Sequence, residues 1–225
     1  MIALALATDS ALSVSVGGGS SAVKLFLLMT ALSFATGALI SITSFTRIVI
    51  VMSFLRQALG TPQLPPNQVV IALSLALTAF VMAPTFSKVQ KESLGPYLDD
   101  QISGQEALDR GSAPVLQFLL RQTRPDDLRL FYDLSGRDRP VHAEEVPITI
   151  AVPAFMVSEL TTAFRMGLFI FIPLLLIDLL VSAVLMALGM MMVPPTLVSL
   201  PLKIGVFLMA DGWHLLVQSL VRSFQ

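Results

Sequence analysis

Charge is distributed along this chain in a way that leaves few folds open. Of its 14 Lys and Arg and 15 Asp and Glu, 19 lie between Lys88 and Glu145, in 58 of the 225 residues, and the other 167 residues share ten. With 55% hydrophobic residues and a mean hydropathy of +0.80, the chain carries more apolar surface than one soluble core can hide. The pattern reads as an all-helical, membrane-type protein with a charged insertion that lies in water.

Four apolar segments stand out, Leu25 to Ile42, Gln68 to Met82, Thr162 to Met186 and Leu202 to Val221. Each is near the ~20 residues a helix needs to cross a ~30 Å hydrocarbon core, the second being short. The competing reading is a buried helical core in a soluble assembly. Pro66 and Pro84 bracket the second segment, and Pro153, Pro173 and Pro201 punctuate the later ones. Kinked or broken helices are therefore expected. Their freed backbone groups must meet protein or water, which argues for an oligomer or a lined cavity.

These features divide the chain into residues 1–21, 22–87, 88–150 and 151–225. Residues 1–21 combine a short apolar run, small residues at Ala5 to Ala7 and a glycine run, which resembles the end of a cleavable signal peptide. Residues 22–87 hold the first two apolar helices and the loop from Thr43 to Asn67. Residues 88–150 form the insertion, with short helices near Pro114 to Gln122 and Pro125 to Tyr132. Residues 151–225 form a helical hairpin about the loop GMMMVPP, Gly189 to Pro195. A leader would place the N-terminus outside the cell membrane. The Thr43 to Asn67 loop then falls inside, where Arg47 and Arg56 agree with the positive-inside tendency, the insertion falls outside, and GMMMVPP lies on the cytoplasmic side.

Several function classes are excluded by supply. A net charge of -1 offers no basic face for nucleic acid. With no cysteine and two histidines, the chain lacks a disulfide framework, a thiolate nucleophile and the makings of a zinc site, and no metal or cofactor is expected. His142 with Glu144 and Glu145 lacks HExxH spacing, no G-x-S-x-G is present, and the glycines at 17 to 19 lack a phosphate-loop lysine. An enzyme is not expected.

Ionisable residues inside apolar segments are more informative: Glu159, Arg165, Asp178, Lys203, Asp211 and His214. An unpaired charge in hydrocarbon costs at least ~2.5 to 3.5 kcal/mol, so each should face a partner or water. An antiparallel hairpin about GMMMVPP brings Asp178 level with residue 207, one helical turn from Lys203 and within its reach. Asp211 and His214 stand three apart on one helix, close enough for a hydrogen bond. Such residues serve either a proton relay or the joining of helices and subunits, and the second reading is preferred because no row of carboxylates lines one face.

Met190, Met191 and Met192 cannot all face one core, since they lie between Gly189 and two prolines that forbid helix continuation. A loop that displays them in several copies around an axis would form a soft apolar ring. Such a ring sheds water and blocks ions, and it yields to a larger passenger.

The runs TSFTRIVIVMSFLRQALGTPQLPPNQVVIALSL (43 to 75), PAFMVSEL (153 to 160) and IDLLVSAVLMALGMMMVPPTLVSLPLKIGVFLMADGWHLLVQSLVRSF (177 to 224) closely resemble the FliP family, export-gate proteins of the bacterial flagellar type III secretion apparatus, and its injectisome relatives. The resemblance covers the chain from about residue 25 to its end. It implies a pentamer joined by FliQ and FliR, working with the export components FlhA and FlhB at the flagellar basal body in the inner membrane. It also implies that Met190, Met191 and Met192 line the channel as a gasket and that Glu159, in SEL, contacts a neighbouring subunit. Relatives usually carry lysine at the position of Thr161, and Arg165 one turn later is a possible substitute. The stretch RQTRPDDLRLF favours the flagellar branch.

The resulting reading is a non-enzymatic channel subunit that passes unfolded flagellar proteins across the inner membrane. Its charged inter-helix or inter-subunit contacts are Glu159, Arg165, Asp178, Lys203 and Asp211. The alternatives are an injectisome export-gate homologue, an ion- or proton-coupled carrier built on Asp178 and Asp211, and a non-conducting scaffold.

Overall fold

The computed structural model describes residues 19–61, 64–140, 145–190 and 192–225, and all regular structure among them is helical. The signal-peptide reading falls almost wholly outside these residues, as do His142 and Glu144. The chain divides at residues 39 and 40 into two compact units. In the first, the described residues belong to α1, Gly19–Ser41, which carries the first expected apolar segment. Everything that follows concerns the second unit, residues 40–225.

The loop expected from Thr43 to Asn67 is in large part a helix, α2, Phe45–Leu59. Its apolar residues Ile48, Val51, Met52, Leu55, Ala58 and Leu59 recur at spacings of three and four, which places them on one stripe. All six are at most 7% exposed. Gly60 at φ 76° ends the helix, donating to Gln57 O at 3.0 Å while Thr61 N–H donates to Arg56 O at 3.3 Å, a Schellman closure that needs a left-handed residue.

Helix α3, Asn67–Val89, runs back along α2 and continues through a π-helical turn, Gln90–Leu94, into α4, Gly95–Leu98. Helix α5, Gly104–Gln122, packs so closely on that turn that a β-carbon on Gly111 would lie 2.9 Å from Ser93 Oγ. Ser103 caps α5 by accepting from Glu106 N–H at 3.3 Å, the start of a capping box. Helix α6, Pro125–Ser135, begins at a proline followed by Asp126 and Asp127 and ends at Gly136, in keeping with its macrodipole and with a left-handed stop.

Helix α7, Ile148–Ala187, is one 40-residue helix that continues through Pro153 and Pro173. At ~1.5 Å per residue it is about 60 Å long, roughly twice a hydrocarbon core. The expected start at Thr162 is therefore late by several turns, because the apolar spacing carries on back to Ile150, Ala151, Ala154 and Phe155, all buried. Helices α8, Thr196–Met209, and α9, Gly212–Arg222, meet at an angle of 64°. That break falls at Ala210 and Asp211, while Pro201 is accommodated inside α8.

Two buried clusters lie along α7. One joins the stripe of α2 to Val70, Ala163, Leu174, Leu216 and Leu220. The other joins Met82, Phe118, Leu119 and Tyr132 to Val146, Ile150, Ala151 and Phe155, so helices of the charged insertion share a core with the apolar ones. Among the described residues, Asn67–Leu98 and Ile148–Ala187 are long and apolar enough to cross a membrane, and α8 with α9 adds a third span if the bent pair counts as one. Large side chains such as Phe169 (80% exposed) and Met209 (91%) remain uncovered. Patches of that kind mark surfaces taken by lipid or by other chains.

Candidate functional site

At the level where the two clusters meet, Ser158 and Glu159 of α7 organise a polar knot. The Glu159 carboxylate is wholly buried, and Arg47 of α2 is 2% exposed. Arg47 Nε donates to Glu159 Oε2 at 2.9 Å, and Nη2 donates to Glu159 Oε1. This fork-on-carboxylate geometry is the strongest form of a charged pair in proteins. The same guanidinium donates through Nη1 to the Ser223 carbonyl and hydroxyl at 2.9 Å each, and through Nη2 to Gln122 Oε1 at 3.3 Å. It also lies 3.8 Å from the Phe224 ring centroid. Gln122 Nε2 in turn donates to the Phe224 carbonyl at 3.0 Å.

Ser158 extends the knot into the insertion. Its hydroxyl accepts from Arg124 N–H at 3.0 Å and donates to Asp127 Oδ2 at 2.6 Å. Two adjacent side chains of the SEL stretch thus tie together α2, the end of α5, the start of α6 and the C-terminal residues. The resemblance implied a contact between subunits at Glu159; within this chain the carboxylate is enclosed and its partner is internal. Arg47 likewise does not stand on a solvated loop, so it carries no weight as a positive-inside signal. Sequence reasoning missed the pair because Arg47 was read as part of a loop. The apolar stripe on either side of it was the available signal.

A second pair lies farther along α7. Lys203 of α8, 4% exposed, donates through Nζ to Asp178 Oδ2 at 2.5 Å and to the Ala58 carbonyl at 2.9 Å. Ala58 is in the last turn of α2, where carbonyls lack intrahelical partners and the macrodipole is negative. The ammonium therefore compensates a carboxylate and a helix end together. These contacts also set the directions of the helices: α2 runs alongside α7 in the same sense, with Arg47 level with Glu159 and Ala58 near Asp178, while α8 runs against both.

Arg165 and Asp211 stand apart. Both are exposed, and among the described residues neither has an ion pair. Asp211 adopts φ 50° at the N-cap of α9 without a capping hydrogen bond from its side chain. The hydrogen bond anticipated between Asp211 and His214 does not occur among the described residues.

The methionine loop opens with a second Schellman closure. Gly189 at φ 74° donates to Met186 O at 3.0 Å, and Met190 N–H donates to Leu185 O at 2.9 Å. Met190 is 45% and Met192 97% exposed; Met191 lies outside the described residues. Pro194 and Pro195 then lead directly into α8.

Comparison with known proteins places this architecture. The family model described as "FliP family" matches residues 28–220. The flagellar biosynthetic protein FliP of Bacillus subtilis (strain 168) is 52% identical over 91% of this chain and 93% of its own length. That of Pectobacterium carotovorum subsp. carotovorum is 52% identical over 92% of this chain and 81% of its own. That of Aquifex aeolicus (strain VF5) is 46% identical over 95% and 90%. A match spanning both buried pairs and the methionine loop, at about half identity over nine-tenths of the residues, establishes that the chain belongs to the FliP family.

Proposed function

We propose that this chain is a core subunit of the flagellar type III export gate in the bacterial inner membrane, a channel component and not a catalyst. Several copies, joined by FliQ and FliR and served by FlhA and FlhB, surround a conduit for unfolded flagellar proteins. The names of the relatives support the flagellar branch. The orientation with the N-terminus and residues 88–150 on the periplasmic side rests on the leader-like start and on the resemblance, since the Arg47 argument has fallen away.

The observation that carries the sealing role is the methionine loop. Its backbone is pinned by Gly189 on one side and Pro194 and Pro195 on the other, so the exposed Met190 and Met192 side chains are held away from the core of their own chain. Flexible thioethers pack against many shapes, and a ring of them closes on itself yet deforms around a passing polypeptide. Water and ions are excluded from such a constriction by its apolarity.

The test replaces Met190, Met191 and Met192 together with alanine and measures leak of small solutes into cells after confirming that the complex assembles. Increased leak with intact assembly is expected. An unchanged barrier would reassign the chain to a scaffold whose pore is lined by other proteins.

A further inference from the structure

Arg56, in the last turn of α2, is a half-buried cation without a counter-ion. Its Nη1 donates to Asn67 Oδ1, its Nε–H is buried with no hydrogen-bond partner, and among the described residues it makes no ion pair. Residues 10–91 contain no Asp or Glu, so no carboxylate is near it in sequence. Asp211, the acid two positions before Trp213, does not pair with it either. The negative end of the helix dipole favours a cation in that turn, but it gives these nitrogens no acceptor. Arg47, on the same helix, shows the contrast: there the Nε and Nη2 edge of the guanidinium grips a carboxylate.

Beside the Arg56 guanidinium lies a cavity of about 290 Å3, walled by Met52 and Leu55 of α2, Val69, Val70 and Leu73 of α3, and Trp213 of α9. Arg56 is the one charged residue that lines it. Val69 is 52% and Trp213 38% exposed, so the cavity opens at the surface. Asn67, which Arg56 bonds, is the first residue of the stretch Asn67–Leu98, long and apolar enough to cross a membrane. The end of such a stretch lies at the depth of phospholipid headgroups, where Arg and Trp bridge hydrocarbon and phosphate.

We infer that Arg56 and this cavity bind one anionic phospholipid, its phosphate diester on the guanidinium and one acyl chain between α2, α3 and α9. The phosphate supplies the missing charge and, on the Nε and Nη2 edge, acceptors in the spacing that a guanidinium fork fits. An ammonium-bearing headgroup gains nothing beside a lone cation, so an uncharged headgroup alcohol such as glycerol is favoured. A helix, ~10 to 12 Å wide with its side chains, does not enter a cavity of this size. A protein partner would have to bring an acidic group and a long apolar side chain to the same point. Such a lipid site needs no second copy of the chain.

The chain has one tryptophan, Trp213, which gives the site its own reporter. The full-length chain in neutral detergent micelles is titrated with phosphatidylglycerol or phosphatidylcholine carrying brominated acyl chains, and quenching of Trp213 fluorescence is followed. Half-quenching is expected at a severalfold lower mole fraction of phosphatidylglycerol. Arg56→Gln should bring the two curves together, and Arg56→Lys should keep part of their separation. Val69→Phe, which fills the mouth of the cavity, should weaken quenching by both lipids. Glycerol phosphate at the same concentration, lacking acyl chains, should not compete. Thermal unfolding of each variant shows whether the fold is kept.

Equal curves for the two lipids with the unsubstituted chain overturn the inference with no variant needed. A preference for phosphatidylglycerol that survives Arg56→Gln assigns the phosphate to another cation. Competition by glycerol phosphate assigns the site to a soluble anion. Equal curves together with loss of assembly in Arg56→Gln assign the guanidinium to a carboxylate of a partner chain.

Discussion

The ring of Phe54 on α2 occupies the space where a side chain on Gly167 of α7 would begin. A β-carbon built there would lie 2.5 Å from Phe54 Cγ and 3.0 Å from its Cβ. The ring also meets Phe164 edge-on, with centroids 5.2 Å apart. Since Phe54 Cβ is fixed to its backbone, rotation of the ring does not relieve the overlap.

Gly167→Ala is therefore expected to destabilise the fold. Alanine gains up to ~1 kcal/mol in helix propensity over glycine, but forcing α2 and α7 apart costs ~1 to 3 kcal/mol. A melting temperature above that of the unsubstituted protein in detergent would mean that the helices separate freely.

Removing one partner of the pair between Arg47 and Glu159 should be more damaging than removing both. Arg47→Met leaves a carboxylate buried without its cation, at a cost of ~3 to 5 kcal/mol, whereas Arg47→Met combined with Glu159→Met replaces the pair by apolar volume. Thermal or denaturant unfolding of the two singles and the double gives the coupling. Additive losses would contradict a shared buried contact.

Lys203 and Asp178 should respond unequally. The Lys203 side chain is 5% exposed and that of Asp178 33%, so water screens the carboxylate but not the ammonium. Lys203→Met strands both Asp178 and the Ala58 carbonyl and should cost about 1 to 3 kcal/mol, while Asp178→Asn keeps an acceptor for Nζ and should cost less. The ranking is read from unfolding midpoints, and a reversed order would refute it.

Tyr132 of α6 lies 3% exposed, and its hydroxyl has no hydrogen-bond partner among the described residues. Burial raises its pKa above the ordinary 10.0, with the Arg137 charge opposing. The folded state thus keeps this proton more tightly than the unfolded state, and stability present below pH 10 is lost as pH rises past it. Tyr132→Phe should be neutral or stabilising at pH 7, because an unpartnered hydroxyl is removed. It should also lessen the fall in melting temperature between about pH 9.5 and 11. An equal alkaline fall in both proteins would place the effect elsewhere.

Local pattern determined a good part of this protein. Apolar runs between prolines and glycines announced α3, α7 and the hairpin, because helix formation depends on periodicity and on turn residues a few positions away. The reach from Lys203 to Asp178 was legible for the same reason: a short loop makes its flanking helices neighbours, and helical rise then sets which residues are level. Length misled where it was taken as the measure of a helix. Helix α2 was too short and too charged to resemble a span, although its apolar stripe was in plain view.

Only the tertiary structure decided that Arg47 meets Glu159 across 112 positions, that Ser158 holds the insertion through Asp127, and that α9 turns away from α8 at Asp211. Such meetings depend on which faces of distant helices find the most apolar area to bury together. Buried charges are then driven to pair with whatever opposite group that packing brings within reach, and no spacing within one segment encodes the outcome.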